Sequence, residues 1–410
     1  MNVGNCIEAS TTMDPRELSI SEHTYALPQE RIAQQPLAER DASKLLHFDN
    51  GSISDHVFRD LPGLLPPNAL LVLNDTRVVN ARLVFHRATG ARIELLCLDP
   101  IGERPVERAF ADRSESAWHC FIGNAKRWKP DEELLLVDGE LELRALRTGA
   151  ESVQFKWSPV ERTFAEVLAR FGHVPLPPYM DRPDEASDKE RYNTVFARHD
   201  GSVAAPTASL HFTADLMTRL ADKGVLTTHV TLHVGAGTFL PVKSERMADH
   251  AMHQEQVRVP LDSLRTLRDQ LDRGPIVAVG TTAMRTLESI HWYGSDLLLG
   301  KVGPMDMDQW RPYMDAPDHE PQETLDAVIA HLEATGEERL SGRTGLLIAP
   351  GYRTRYVQGL ITNFHQPQST LLLLVAAFIG ADWRNVYDHA LRHGYRFLSY
   401  GDGSLLWRSR

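Results

Sequence analysis

Cysteine is scarce in this chain and follows no pattern. Cys6, Cys97 and Cys120 are the three in 410 residues. An odd number at no ligand spacing excludes a disulfide framework and a zinc motif, so free thiols in a reducing compartment are expected. Long apolar runs are missing too. The longest, LLLLVAAFIG from Leu371 to Gly380, is half of the roughly 20 residues a membrane span needs, and it reads as a buried core helix. The N-terminus, MNVGNCIEASTTMDPRELS, lacks the apolar stretch of a signal peptide. A cytoplasmic location with no membrane partner is expected. Positive charge is in deficit: 44 Lys and Arg face 55 Asp and Glu, a net charge of −11. That excludes unspecific nucleic-acid binding over the whole surface but leaves room for a local basic patch. No period of about 20–50 residues recurs, which excludes solenoids and propellers.

What remains is ordinary globular composition, with 42% hydrophobic and 24% charged residues. A chain of this length is expected to form two or three domains with sizeable cores. Residues 1–20 read as disordered. DASKLLHFD and GSISDHVF read as two strands joined at Asp49-Asn50-Gly51. From about 70 to 158, short strands follow one another between Gly, Pro and Asp turns: ALLVLNDTRVVNARLVF, ARIELLCLD, AWHCFIGN, ELLLVDG, LELRALR and SVQFKWS. Such a series predicts an antiparallel sandwich or barrel.

After Ser158 the pattern changes. SPVERTFAEVLARFG has helical spacing, and helices then alternate with β-rich runs such as VLTTHVTLHV, PIVAVGTT and GLITNF. Alternation predicts an α/β layer with a largely parallel sheet. The expected architecture is therefore α/β: a discontinuous body over 21–69 and 159–410, with an all-β, barrel-like module inserted over 70–158. Residues 294–345, rich in Pro, Asp and Gly around ETLDAVIAHLEAT, read as a surface excursion.

Several constellations could carry chemistry. PIVAVGTTAMRTLES runs from a strand through Gly280, Thr281 and Thr282 into a helix. Backbone N–H groups at that helix start suit a carboxylate, a phosphate or a ribose hydroxyl, and a simple Thr cap is the competing reading. THVTLHVGAGTFLPV invites a phosphate-loop or metal reading. Leu240 stands at the third glycine position of a dinucleotide fingerprint, Pro241 follows, and no Gly-Lys-Ser/Thr is present. His229 and His233 would stand about 13 Å apart along a strand, too far to share an ion. A metal is therefore not expected. His211, His229, His233, His250 and His253 crowd one part of the chain and suit acid–base or hydrogen-bonding work. NFHQPQST places Asn363 and His365 at a strand end, and strand ends border the crevice in open α/β sheets.

Taken together, LPQERIAQQPLAERDASKLL, LNDTRVVNARL, GHVPLPPYMDRPDEASDKERYNTVF, GSVAAPTASLHFT, VTLHVGAGTFLPV, DHAMHQE, AVGTTAMRTLES, LITNFHQPQSTLLLLVAAFIG and YRFLSYGDGSLL resemble the S-adenosylmethionine:tRNA ribosyltransferase-isomerase family of queuosine biosynthesis. The likeness runs from about Tyr25 to Leu405. It implies a ribosyl transfer from S-adenosylmethionine to the aminomethyl group of 7-aminomethyl-7-deazaguanine in tRNA. The product is epoxyqueuosine, and adenine and methionine leave. It implies no metal and no redox cofactor, and a monomer is expected.

That chemistry needs a base near C5′, an acid for adenine and partners for the ribose and the carboxylate. The resemblance makes His211, His233 and His253 acid–base candidates, with Glu255 or Asp249 as partner. Thr207, Gly235, Gly237, Thr281, Thr282 and Asn363 become candidates for the S-adenosylmethionine pocket. Arg77, Arg82, Lys126, Arg127 and Lys129 become candidates for tRNA phosphate. The chain departs from the family pattern at Asp75 and Asn80, at Ser209 where the family has Gly, and at Gly403-Ser404. A left-handed backbone at 209 would strain Ser. Two other readings stay open: a diverged paralogue using S-adenosylmethionine with another acceptor, and a non-catalytic RNA-binding protein that kept the fold. The intact HVGAG, GTT and NFH motifs weigh against the second.

Overall fold

The computed structural model describes residues 14–102, 104–235, 242, 244–314 and 317–409. Ten strands form the body sheet. Their order is Met305–Met307, Arg339–Thr344, Glu255–Pro260, Leu226–His233, Leu70–Asn74, Ile276–Val279, Gly359–Asn363, Gly403–Trp407, Lys44–Asp49 and Ser52–Val57. The four strands from Leu226–His233 to Gly359–Asn363 run parallel, and antiparallel pairs occur on both flanks. Leu70–Asn74, Ile276–Val279 and Gly359–Asn363 are buried along their whole length, as expected for parallel strands covered on both faces. Alternate side chains serve two cores. Leu70, Val72, Ile276 and Ala278 pack with the helices Thr281–Leu298 and Thr370–Ile379. Leu71, Leu73, Val277, Val279 and Ile361 pack with the helix Ala214–Asp222.

The second sheet is antiparallel and barrel-like. Its order is Arg82–His86, Arg92–Pro100, Glu115–Gly123, Ser152–Ser158, Leu141–Arg147 and Glu133–Asp138. The helix Phe164–Phe171 seals it. The Phe164 ring lies 5.3–5.4 Å from those of Trp118, Phe155 and Trp157, and Val167 and Leu168 join the same core. Thr163 caps this helix in a box with Glu166.

Three expectations are corrected. The module does not begin at residue 70, because Leu70–Asn74 is a central strand of the body, and it does not end at 158, because the next helix belongs to its core. Residues 294–345 are no excursion. Met305–Met307 and Arg339–Thr344 extend the body sheet, and Leu325, Val328 and Leu332 of the helix Pro321–Thr335 enter its main core. Within 1–20, the described part is packed: Leu18 and Ile20 are buried beside Met247 and Leu373, and the Ile20 N–H donates to Glu245 O at 3.1 Å. No described helix is long and apolar enough to cross a membrane.

Candidate active site

The parallel strands end on one edge, and a crevice opens there. Its space, with the open solvent at its mouth included, is about 590 Å³. Thr207, Gly280, Thr281, Thr282, Asn363 and His365 line it, with small residues Ala204 to Ala208 along one wall. Of the strand ends GTT, HVGAG and NFH, whose convergence the sequence predicts, GTT and NFH meet here with the small-residue segment SVAAPTAS, and HVGAG contributes Val234 among the described residues.

Gly280 makes one wall. Its φ of +95° turns the strand straight into the 18-residue helix Thr281–Leu298, and no side chain caps that helix. The first-turn N–H groups thus remain available at the crevice, at the positive end of the helix dipole. The Thr282 hydroxyl is buried with no partner among the described residues. The reading of a self-capping Thr is not what the structure shows.

A hydrogen-bonded chain makes the opposite wall. The Thr207 hydroxyl donates to Asn363 Oδ1 at 2.8 Å. The Asn363 amide faces His211 Nε2 at 3.4 Å and Asp402 O at 3.4 Å. His211 is buried against Phe58, and burial pushes it down to about 4, so it is neutral near pH 7. It faces a smaller cavity that shares Ser399 with the crevice. His365 is also lowered by burial, to about 3, and its ring bonds Thr362 at 2.8 Å. Ser209 is not in the left-handed region, so the departure from Gly brings no strain there.

His233 ends the strand Leu226–His233. Asn74 holds that strand end, donating to Leu232 O at 3.0 Å and accepting from Leu232 N–H at 3.1 Å. The off-pattern Asp75 accepts from the Thr231 hydroxyl at 2.7 Å. His233 Nδ1 bonds Thr76 at 2.9 Å, and Nε2 bonds Glu107 at 3.1 Å. Its ring lies flat on Gly201, where a Cβ would come within 2.6 Å of it. Glu107 comes from the helix Val106–Phe110 of the β module. Burial works against its charge, but His233 and Arg258 hold it down to about 2. Arg258 Nη2 donates to it at 2.5 Å. No sequence signal singled out Glu107, because the contact spans 126 positions and two domains.

Other candidates fall elsewhere. Glu255 does not partner a histidine. It is buried in an ion pair with Arg285 and accepts from Gly235 N–H at 3.3 Å. Asp249 is exposed and pairs with Arg246, and His253 is exposed as well. A Cβ added at Gly235 would meet nothing within 4 Å among the described residues. Gly237 lies outside the described residues. Arg82 is committed internally, donating to Leu176 O at 2.6 Å and pairing with Glu94. Arg77 is half exposed, and Lys126, Arg127 and Lys129 are exposed on a turn of the β module.

The model of a family described as queuosine biosynthesis protein matches residues 20–406. A protein of Azoarcus sp. strain BH72 named S-adenosylmethionine:tRNA ribosyltransferase-isomerase is 40% identical over 96% of this chain and 98% of its own length. One of the same name from Rhodospirillum rubrum is 40% identical over 93% of this chain and 96% of its own. A crystal structure of S-adenosylmethionine tRNA ribosyltransferase from Thermotoga maritima is 29% identical, covers 94% of this chain and 100% of its own, and has a TM-score of 0.45. The chain belongs to the queuosine biosynthesis protein family.

Proposed function

We propose that this chain is an S-adenosylmethionine:tRNA ribosyltransferase-isomerase, an enzyme of tRNA modification in queuosine biosynthesis. The observation that carries this is 39–40% identity over nearly the full length of relatives of that name. The substrates are S-adenosylmethionine, as ribosyl donor, and tRNA carrying 7-aminomethyl-7-deazaguanine. The enzyme works as a monomer in the cytoplasm.

The crevice supports an assignment of roles. The uncapped helix start at Thr281 and the unpartnered Thr282 hydroxyl suit the methionine carboxylate. Thr207 and Asn363 suit the ribose hydroxyls. The sulfonium makes the C5′ protons acidic. His211, neutral by burial and facing the smaller cavity that meets the crevice at Ser399, is the proposed base. His233, held between Thr76 and Glu107, is the proposed acid for departing adenine. Arg77, Lys126, Arg127 and Lys129 are the proposed phosphate contacts.

Adenine release from S-adenosylmethionine tests the reading. Release that requires tRNA bearing 7-aminomethyl-7-deazaguanine is expected. Release with a different acceptor, and none with this tRNA, would move the assignment to a diverged paralogue.

A further inference from the structure

We propose that Asp55, His389 and His393 form a surface site for a divalent transition-metal ion, outside the crevice. Asp55 lies on the edge strand Ser52–Val57, and His389 on the helix Trp383–Arg392 that packs against it. His393 follows four residues later, just past the helix end. One ligand atom from each falls within 4.8 Å of the others. Two imidazoles and a carboxylate suit zinc, nickel or copper rather than magnesium or calcium.

Neighbouring groups already orient these ligands. The ring of His393 bonds His389 O through Nδ1 at 2.9 Å, which leaves Nε2 for an ion. Tyr395 donates to Asp55 Oδ1 at 2.5 Å and fixes the carboxylate. Supports like these two are what hold metal ligands in place elsewhere. His389 Nε2 stands 3.0 Å from both Asp55 oxygens, a hydrogen bond that an entering ion replaces with release of its proton. The carbonyl end of a helix also favours a cation. The opposing charge is Lys44, whose ammonium is engaged by His393 O at 2.7 Å and by Gly394 O at 3.5 Å. With three protein ligands, solvent completes a tetrahedral set. An ion here would fasten the edge strand to a helix whose Tyr387 hydroxyl accepts from His365 N–H at 3.1 Å, so the crevice wall would be stiffened at second hand.

Zinc sulfate titrated into the chelator-treated full chain tests the site by calorimetry and thermal melting. One equivalent should bind, and the melting temperature should rise with free zinc. Asp55→Asn and His393→Ala should each weaken binding about tenfold or more, with adenine release unchanged in both. Asp55→Asn preserves side-chain shape, and melting without zinc controls for folding. Absence of binding below about 100 µM zinc, or an equivalent that persists in both variants, would overturn the proposal. Persistence would instead implicate another ligand set, such as the buried Cys97 and Cys120.

Discussion

Nε2 of His233 lies 3.1 Å from Oε1 of Glu107, so a side chain of the β module holds the histidine that ends the body strand Leu226–His233. The same carboxylate takes Arg258 from the next body strand. The module is thereby fastened to the body where the strand Leu226–His233 ends.

Glu107→Gln keeps the shape and removes the charge. Turnover should fall by about tenfold or more, a share of the roughly 10²–10⁴-fold that a positioned acid–base group supplies. KM for S-adenosylmethionine should stay near wild type, because Glu107 does not line the crevice. Equal kcat in both proteins would remove Glu107 from the mechanism. Stability supplies a second readout. The folded value, about 2, lies below the ordinary carboxylate range. Its contribution is therefore full above about pH 4.5 and is lost as pH falls toward 2. Denaturation midpoints of the two proteins should converge over that window.

His211→Ala should abolish adenine release while the protein stays folded. Wild-type rates in this variant and in His233→Ala would defeat the assignment. Burial lowers His211 to about 4 and His291 and His365 to about 3. The unfolded chain takes up these protons first, so stability is full above about pH 6.5 and falls as pH drops toward 4. Each group contributes up to about 1.4 kcal/mol per pH unit. Urea denaturation between pH 7 and 4 measures the slope, and a flat profile would refute neutral burial.

Much of this site was legible because its parts are local. Asn363 ends one continuous apolar strand and Thr281 opens the helix just after another, and such strands announce a buried parallel sheet and its ligand edge. Glu107 was illegible for the opposite reason: its meaning depends on docking two domains. The run at 70–85 reads as one series of strands because apolar patterning does not reveal which sheet a strand joins, and Leu70–Asn74 belongs to the body sheet instead. The Phe164–Phe171 helix has a clear apolar face, but that face does not say which core it seals. Arg339–Thr344 is largely polar and Met305–Met307 is three residues long, so neither has enough pattern to detect.

Thr282→Val removes a hydroxyl that has no partner among the described residues. Stability should change by less than about 0.5 kcal/mol or rise slightly, since an unsatisfied buried polar group is being removed. Affinity for S-adenosylmethionine should drop several-fold if that hydroxyl meets the carboxylate. Unchanged affinity by calorimetry would take Thr282 out of the pocket.

The Glu255–Arg285 pair lies buried beneath the crevice, with Arg285 bordering a cavity beside Thr281 and Thr282. Burial lowers Arg285 to about 10, which still leaves it charged at neutral pH. Glu255→Gln should therefore strand a buried cation and destabilise the fold by about 3–5 kcal/mol. Replacing both partners, Glu255→Leu with Arg285→Met, should recover most of that loss, since apolar groups of similar volume substitute well for buried pairs. The double variant would still lack the carboxylate that accepts from Gly235 N–H. Its stability should thus approach wild type while its affinity for S-adenosylmethionine remains weakened. Denaturation and calorimetry on the same three proteins separate the two effects. A Glu255→Gln protein as stable as wild type would mean that the pair is solvated, and recovery of full affinity in the double variant would mean that Gly235 needs no anchor.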